Sequence, residues 1–185
     1  MRLSKDFFNK PADKVAKELL GKILCREEGS EQVQTSFVKN AKRNKKILRA
    51  KIIETESYFG EKDPASWARF GKRKSNILMW DSPGKILIKN VHKYKMLNFI
   101  TGKKGEAGAV LIRALEPLNF SGKCHGPGLI TKCLKIDKSF NGQEIINNKK
   151  IWIEENKQNK KFKIFRDYRV GVKEDLKKKL RFYIE

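Results

Sequence analysis

The sequence predicts an α+β fold, a mainly antiparallel sheet with two or three helices set among its strands. Three observations lead there. Short apolar runs with strand character recur from Ile47 to Ile184, divided by turn residues. Helical spacing is confined to a few scattered segments. Neither a strand–helix–strand rhythm nor an internal repeat period is visible. The 185 residues suffice for one domain with a core and are short for two, so a single domain over residues 1–185 is expected.

Pro11 stands where a first helical residue belongs and Gly21 where a helix ends; Val15, Ala16, Leu19 and Leu20 make one apolar stripe between them. The chain from Arg26 to Lys46 is polar except at Val33 to Val38, which reads as a strand inside exposed loop, and it ends in the basic cluster Lys42-Arg43-Asn44-Lys45-Lys46. Ile47 to Tyr58 reads as a strand. Leu48, Ala50 and Ile52 alternate onto one face, and continued alternation puts Glu54, Glu56 and Tyr58 on that same face. Gly60 to Gly71 reads as a loop, followed by the basic run Lys72-Arg73-Lys74. Ile86 to Ile88 is a strand after the Pro83-Gly84 turn, and Ala109 to Leu115 a stronger one with Leu111, Arg113 and Leu115 on one face. Gly126-Pro127-Gly128 opens a helix running through Leu129, Ile130, Cys133 and Leu134. Asn141-Gly142 marks a turn, Asn156 to Lys161 a loop, and Ile151 to Ile153 and Leu180 to Ile184 two short closing strands.

Charge is the strongest compositional signal. Lys and Arg total 43 against 21 acids, a net charge of +22, and 33 of the 43 are lysine. Such an excess fits a polyanionic partner: DNA, RNA or an anionic membrane. A Lys-rich composition shared by every protein of an AT-rich genome is the other source of it. Lysine binds phosphate as a point charge, whereas arginine reads base edges bidentately, so this surface suits backbone contact. No stretch approaches the roughly 20 apolar residues of a membrane helix, no basic amphipathic helix with bulky anchors suits a membrane surface, and Met1 to Lys10 lacks a signal-type apolar run. A soluble protein that stays inside the cell is expected. Cys25, Cys124 and Cys133 lack metal-ligand spacing and read as reduced structural residues.

Glu54 and Glu56 are the chemically suggestive pair. Two acids on one strand face repel, which raises one pKa and prepares a carboxylate to take a proton from water; the alternative is a solvated strand end. Arg113, in an otherwise apolar strand, needs an acid partner if buried. It serves a site or phosphate in one reading and a structural salt bridge in the other. Tyr58, Phe59, Trp67, Phe70, Trp80, His92 and Tyr94 lie near basic runs, as base-stacking residues do, though aromatics are more often core.

With these residues in place, the chain resembles the alkyladenine (3-methyladenine) DNA glycosylases over nearly its whole length. The likeness begins at Phe7-Phe8, Pro11-Ala12 and Leu19 to Lys22, and it is dense in Ile53 to Gly60, Asp63 to Ser66 and Pro83-Gly84. It continues through Asn98, Gly108 to Leu118, Gly126 to Gly128, Ile136 to Gly142, Arg169 to Val172 and Leu180 to Ile184. The resemblance implies a curved antiparallel sheet without a helix-hairpin-helix. It also implies an enzyme of base-excision repair that flips alkylated purines from double-stranded DNA and hydrolyses the N-glycosidic bond without metal or cofactor. It makes Glu56 the base that activates water and places Arg113 beside that water and the phosphate. Tyr58 becomes a stacking wall, Asn98 a screen for exocyclic groups, and Leu111 part of the base pocket. A monomer acting on genomic DNA is expected.

Two departures fall in the pocket. Trp67 stands where the family usually has a His; an indole offers one donor and no acceptor, though it stacks well. The Tyr-rich hairpin after the Pro-Gly turn is replaced by Ile86 to Lys95, leaving His92 or Tyr94 to fill the gap of a flipped base and Lys89 and Lys93 to meet DNA. The chain is also short between Leu118 and Gly126. Activity on cationic alkylpurines, which leave readily, and weakness on neutral hypoxanthine are expected. The competing readings are a weak or inactive family member that binds DNA and a basic RNA-binding protein.

Overall fold

The computed structural model describes residues 1–29, 45–158 and 161–185. Two expectations, the strand at Val33 to Val38 and most of the basic cluster at Lys42 to Lys46, therefore lie outside the described residues. The architecture is α+β. A short helix α1 (Lys5–Phe8) and α2 (Ala12–Leu19) lead into strands β1 (Ile23–Glu28) and β2 (Lys46–Tyr58). After two 3-10 turns (Trp67–Phe70 and Ile77–Trp80) come β3 (Ile86–Val91), β4 (Tyr94–Ile100) and β5 (Ala109–Pro117). Helix α3 (Pro127–Cys133) is followed by β6 (Ile151–Glu154), β7 (Phe165–Asp167) and β8 (Arg181–Tyr183).

The eight strands form one curled antiparallel sheet in the order β3-β4-β5-β2-β1-β6, with β8 paired to both β2 and β7. Strand β2 is the spine. Along one edge it pairs with β5 from Ala50 to Tyr58. Its other edge is shared in sequence, first by β1 against Lys46 to Lys51 and then by β8 against Glu54 to Glu56. Thirteen residues of strand thus serve three partners.

Helix α2 covers the core face of this spine. Val15, Ala16 and Leu19 are fully buried against Ile52, Ile112 and Leu115, each large side chain contributing roughly 1.5–3 kcal/mol by leaving water. Pro11 occupies the position just before the helix, with an extended ψ, and Gly21 takes the left-handed φ of +81° that turns the chain into β1. A Cβ on Gly21 would also stand 2.6 Å from the Phe162 ring. At the C-terminal end of α2, Leu20 N–H turns to the Lys17 carbonyl, and the Ala16 carbonyl takes the Thr55 hydroxyl at 2.8 Å. A buried helix carbonyl is thereby satisfied by a side chain of the spine.

The face assignment of β2 needs correction. Leu48, Ala50 and Ile52 do enter the core, but Glu54, Glu56 and Tyr58 leave on the opposite side. The β2–β5 register shifts twice, between Ile52 and Glu54 and again between Glu54 and Thr55. These irregularities exchange the faces, so Thr55 points at α2 and the two acids point away. On β5 the same break separates Leu115, in the core, from Arg113 and Leu111, which line a pocket. The expectation that those three share a face fails for this reason.

Replacing Thr55 by Val keeps the volume and strands the Ala16 carbonyl. The expected loss is about 1–3 kcal/mol of folding stability, read as a lower urea midpoint at unchanged slope.

Candidate active site

The exchanged face of β2 delivers Glu54, Glu56 and Tyr58 to the sheet's open side. Glu56 is 0% exposed. Its Oε1 accepts the Val170 N–H at 2.9 Å and lies 3.2 Å from an Arg113 guanidinium nitrogen; its Oε2 accepts the Tyr58 hydroxyl at 2.8 Å. Burial raises the Glu56 pKa above the ordinary carboxylate value. The charge of Arg113 and the hydrogen bonds from Val170 and Tyr58 oppose that rise, and Glu54 adds to it. The Tyr58 phenol is likewise pushed far up, by burial and then by the Glu56 charge, so it remains a donor. Arg113 donates through Nε to Glu54 at 3.1 Å, and Glu54 also receives Arg181 at 3.2 Å. The Glu54–Glu56 pair expected from spacing thus exists, bridged by Arg113.

The Val170 N–H reaches Glu56 because a second, buried ion pair fixes its neighbour. Arg169 grips both oxygens of Asp63 at 2.7 Å and donates to the Ser57 carbonyl at 2.9 Å. Its Nε binds Asp175 at 3.0 Å, and its guanidinium carbon lies 4.7 Å from the Tyr58 ring centre. Burial would raise the Asp63 pKa, but the Arg169 hydrogen bonds and the Phe59 N–H outweigh it and hold the carboxyl below its ordinary value. Both oxygens of Asp63 are also backbone acceptors, from Phe59 at 2.9 Å and Ala65 at 3.1 Å, which shapes the loop that carries Trp67. The sequence reading missed this brace. Arg169 follows Arg166-Asp167-Tyr168, with charges close by, so its setting did not single it out as that of Arg113 did.

These groups flank a cavity of about 450 Å³, a size suited to a small ligand. Tyr58, Trp67, Asn98, Leu111, Arg113 and Lys89 all line it. Asn98 donates its Nδ2 to the carbonyls of Leu87 at 3.3 Å and Met96 at 3.0 Å, which leaves Oδ1 as its acceptor pole. Lys89 sits 5.4 Å from the Trp67 ring centre, and its pKa is lowered by burial and by Arg69, a further lining residue. His92, Lys93 and Tyr94 are not part of the lining. They form the β3–β4 turn, with His92 at a φ of +51° and the Lys93 ammonium 5.6 Å from the Tyr94 ring centre. Among the described residues no cluster of three or more His, Cys, Asp or Glu is grouped to hold a metal, and no helix is long and apolar enough to cross a membrane. The three cysteines are free, and burial pushes the Cys25 and Cys124 thiols up to about 12.

Fold and site together define a cleft built on a curled antiparallel sheet, with one sealed carboxylate, a guanidinium over it and aromatic walls. The chain belongs to the methylpurine-DNA glycosylase family, whose profile matches residues 6–185. A protein of Aeropyrum pernix is 36% identical over 188 residues, covering 98% of this chain and 89% of its own. Relatives from Clostridium tetani and Legionella pneumophila are 35% and 34% identical, covering all of this chain and 96% and 94% of theirs. All three carry the provisional name 3-methyladenine DNA glycosylase.

The Asp63–Arg169 pair yields a stability prediction with a defined sign. A carboxyl held below its unfolded value contributes stability that is present above that value and is lost as pH falls through the folded one. Asp63→Asn should cost about 3–5 kcal/mol at neutral pH, the usual penalty of breaking a buried pair. It should also flatten the acid side of the stability curve, measured by urea unfolding between neutral and acidic pH.

Proposed function

We propose that this protein is a base-excision-repair DNA N-glycosylase, monofunctional and cofactor-free. It flips alkylated purines of the 3-methyladenine type from duplex DNA and hydrolyses the N-glycosidic bond with a water activated by Glu56. The observation that carries this reading is the sealed Glu56 carboxylate, of raised pKa, meeting a cavity through Arg113 and Tyr58, both of which line it.

The chemistry follows from those groups. The bond from C1′ to the purine nitrogen breaks with its electron pair going to the base, and the sugar becomes oxocarbenium-like. Glu56 takes the proton of a water whose oxygen bonds to C1′. Its negative charge also steadies the developing sugar cation. Arg113 orients the carboxylate and water and faces the phosphate. Tyr58 and Trp67 stack on the extruded base, Leu111 packs beside it, and Asn98 Oδ1 screens its exocyclic edge. The cationic excess of the chain, +22 in formal net charge, favours binding to duplex backbone, with Lys89, Lys93, His92 and Tyr94 on the hairpin that meets the helix. The protein acts as a monomer on genomic DNA inside the cell.

One observation favours a second reading, a family member that binds DNA with weak or no excision. Lys89 and Arg69 place cationic charge in the cavity, where it opposes a cationic purine.

Single-turnover release of 3-methyladenine from methylated duplex DNA separates the two. Glu56→Gln should slow release by about 10²–10⁴-fold while DNA binding persists. Wild type that binds and releases nothing would establish the second reading. Hypoxanthine should be released more slowly than 3-methyladenine, and equal rates would sink that preference. The rate should rise with pH through a midpoint above the ordinary Glu value of about 4.3, because the ionised form is the active one. The same raised pKa means that ionising Glu56 costs the folded state some stability, which is lost as pH rises. Glu56→Gln should therefore unfold no earlier than wild type at neutral pH.

A further inference from the structure

Five charged side chains line the cavity: Arg69, Lys89, Arg113, Lys173 and Glu174. Arg69, Lys173 and Glu174 are exposed, where water and salt screen them. Arg113 is committed to Glu54 and Glu56. Lys89 differs from all four: it is half-buried, and no carboxylate pairs with it among the described residues.

Its position follows from β3. Leu87, Lys89 and Val91 alternate onto the cavity face, so the ammonium is carried between two apolar residues. Across the ladder Lys89 stands opposite Met96 and Leu87 opposite Asn98, and both partners line the cavity. The Lys89 nitrogen lies 5.4 Å from the Trp67 ring centre. Burial and then the Arg69 charge lower its pKa, and no acid offsets them. A base that stacks on Trp67 therefore lies beside an uncompensated cation.

On the glycosylase reading, on which this inference rests, we propose that Lys89 drives the departure of the base: it opposes the positive charge of a bound alkylpurine, and that opposition is relieved as the bond to C1′ breaks. The bonding pair goes to the base, which becomes one unit more negative whatever its starting charge. A cationic purine leaves neutral, and a neutral one leaves as an anion, which takes up the proton released by the attacking water. In both cases the ammonium suits the departing base better than the bound one, which is the condition for accelerating a step. The half-buried setting strengthens the effect, because a charge acts more strongly where the dielectric is low. The cost falls on binding, and only for cationic bases. Cationic charge in the cavity thus weakens the binding of an alkylpurine and speeds its release.

The test compares wild type with Lys89→Met, which keeps the length and removes the charge, and Lys89→Arg, which keeps the charge. Single-turnover release is followed over a range of enzyme concentration on duplexes carrying 7-methylguanine, a cationic base, or hypoxanthine, a neutral one. Lys89→Met should lower the saturating rate on both by at least about 5-fold, what a unit charge roughly 4 Å away contributes even at the dielectric of water. It should also lower the half-saturating concentration for 7-methylguanine and not for hypoxanthine. Lys89→Arg should retain the wild-type values. A saturating rate on 7-methylguanine that holds or rises in Lys89→Met would overturn the proposal, because Lys89 would then only obstruct cations. So would a half-saturating concentration that moves equally on the two duplexes, the mark of a phosphate contact, or a rate loss that Lys89→Arg shares, the mark of a packing role. Wild type that releases neither base defeats the glycosylase reading and this role together, whereas wild-type release that Lys89→Met matches defeats this role alone.

Discussion

Everything near the cavity is arranged around one cost, a fully buried carboxylate. An isolated ionised Glu56 would neutralise. It is kept available by three donors that come from three separate parts of the chain: Tyr58 on its own strand, Arg113 across the sheet, and the Val170 N–H from a distant loop. Burial still prevails and its pKa remains raised. The balance is suited to a base, because a carboxylate held too firmly as an anion has no tendency to accept a proton.

The position of those donors depends on the sheet's irregularity. A regular β2 would have turned Glu54 and Glu56 into the core beneath α2, beside Leu48, Ala50 and Ile52. The double register shift at Glu54 lets one strand be apolar on its core face for half its length and carry acids to the open face for the rest. It also divides β5, so that Arg113 arrives opposite the acids while Leu115 stays in the core. The Asp63–Arg169 pair completes the enclosure from the far side. Both loops it joins contribute to the cavity, through Trp67 and Val170, so a buried salt bridge here fixes geometry more than it adds stability.

How much of this could be read in the sequence differs by level. The spine at Ile47 to Tyr58, the strand from Ala109 and the helices at Ala12 and Pro127 were legible because apolar periodicity reports burial directly. Strand β1 was missed because Ile23 to Cys25 is too short an apolar run beside charged Arg26-Glu27-Glu28, and β7 offers three residues. The face of Glu56 was misjudged because periodicity assumes regular strands, and no residue between Ile52 and Thr55 announces a bulge. The company of Glu56, Tyr58, Asn98 and Arg113 was visible through motifs. The Asp63–Arg169 brace was not, since pairing across 106 residues is a property of the fold.

The cavity's own charges bear on how such a site would choose its substrate. Lys89 and Arg69 line the wall with Trp67, and among the charges acting on Lys89 the one that counts is Arg69 rather than Glu56 or Arg113. Arg113, Lys173 and Glu174 also line the cavity, while Glu56 meets it only through Arg113 and Tyr58. A cationic purine gains little beside Lys89 and Arg69, which makes charge attraction to the base a weak source of selectivity. Under the glycosylase reading, selection must then act where the carboxylate is, on the sugar cation that forms as the bond breaks. An alkylated purine then qualifies by leaving easily and a normal purine fails by leaving slowly. The loss of a hydrogen-bonding residue at Trp67 is tolerable on those terms, because stacking need only hold the base while the bond decides.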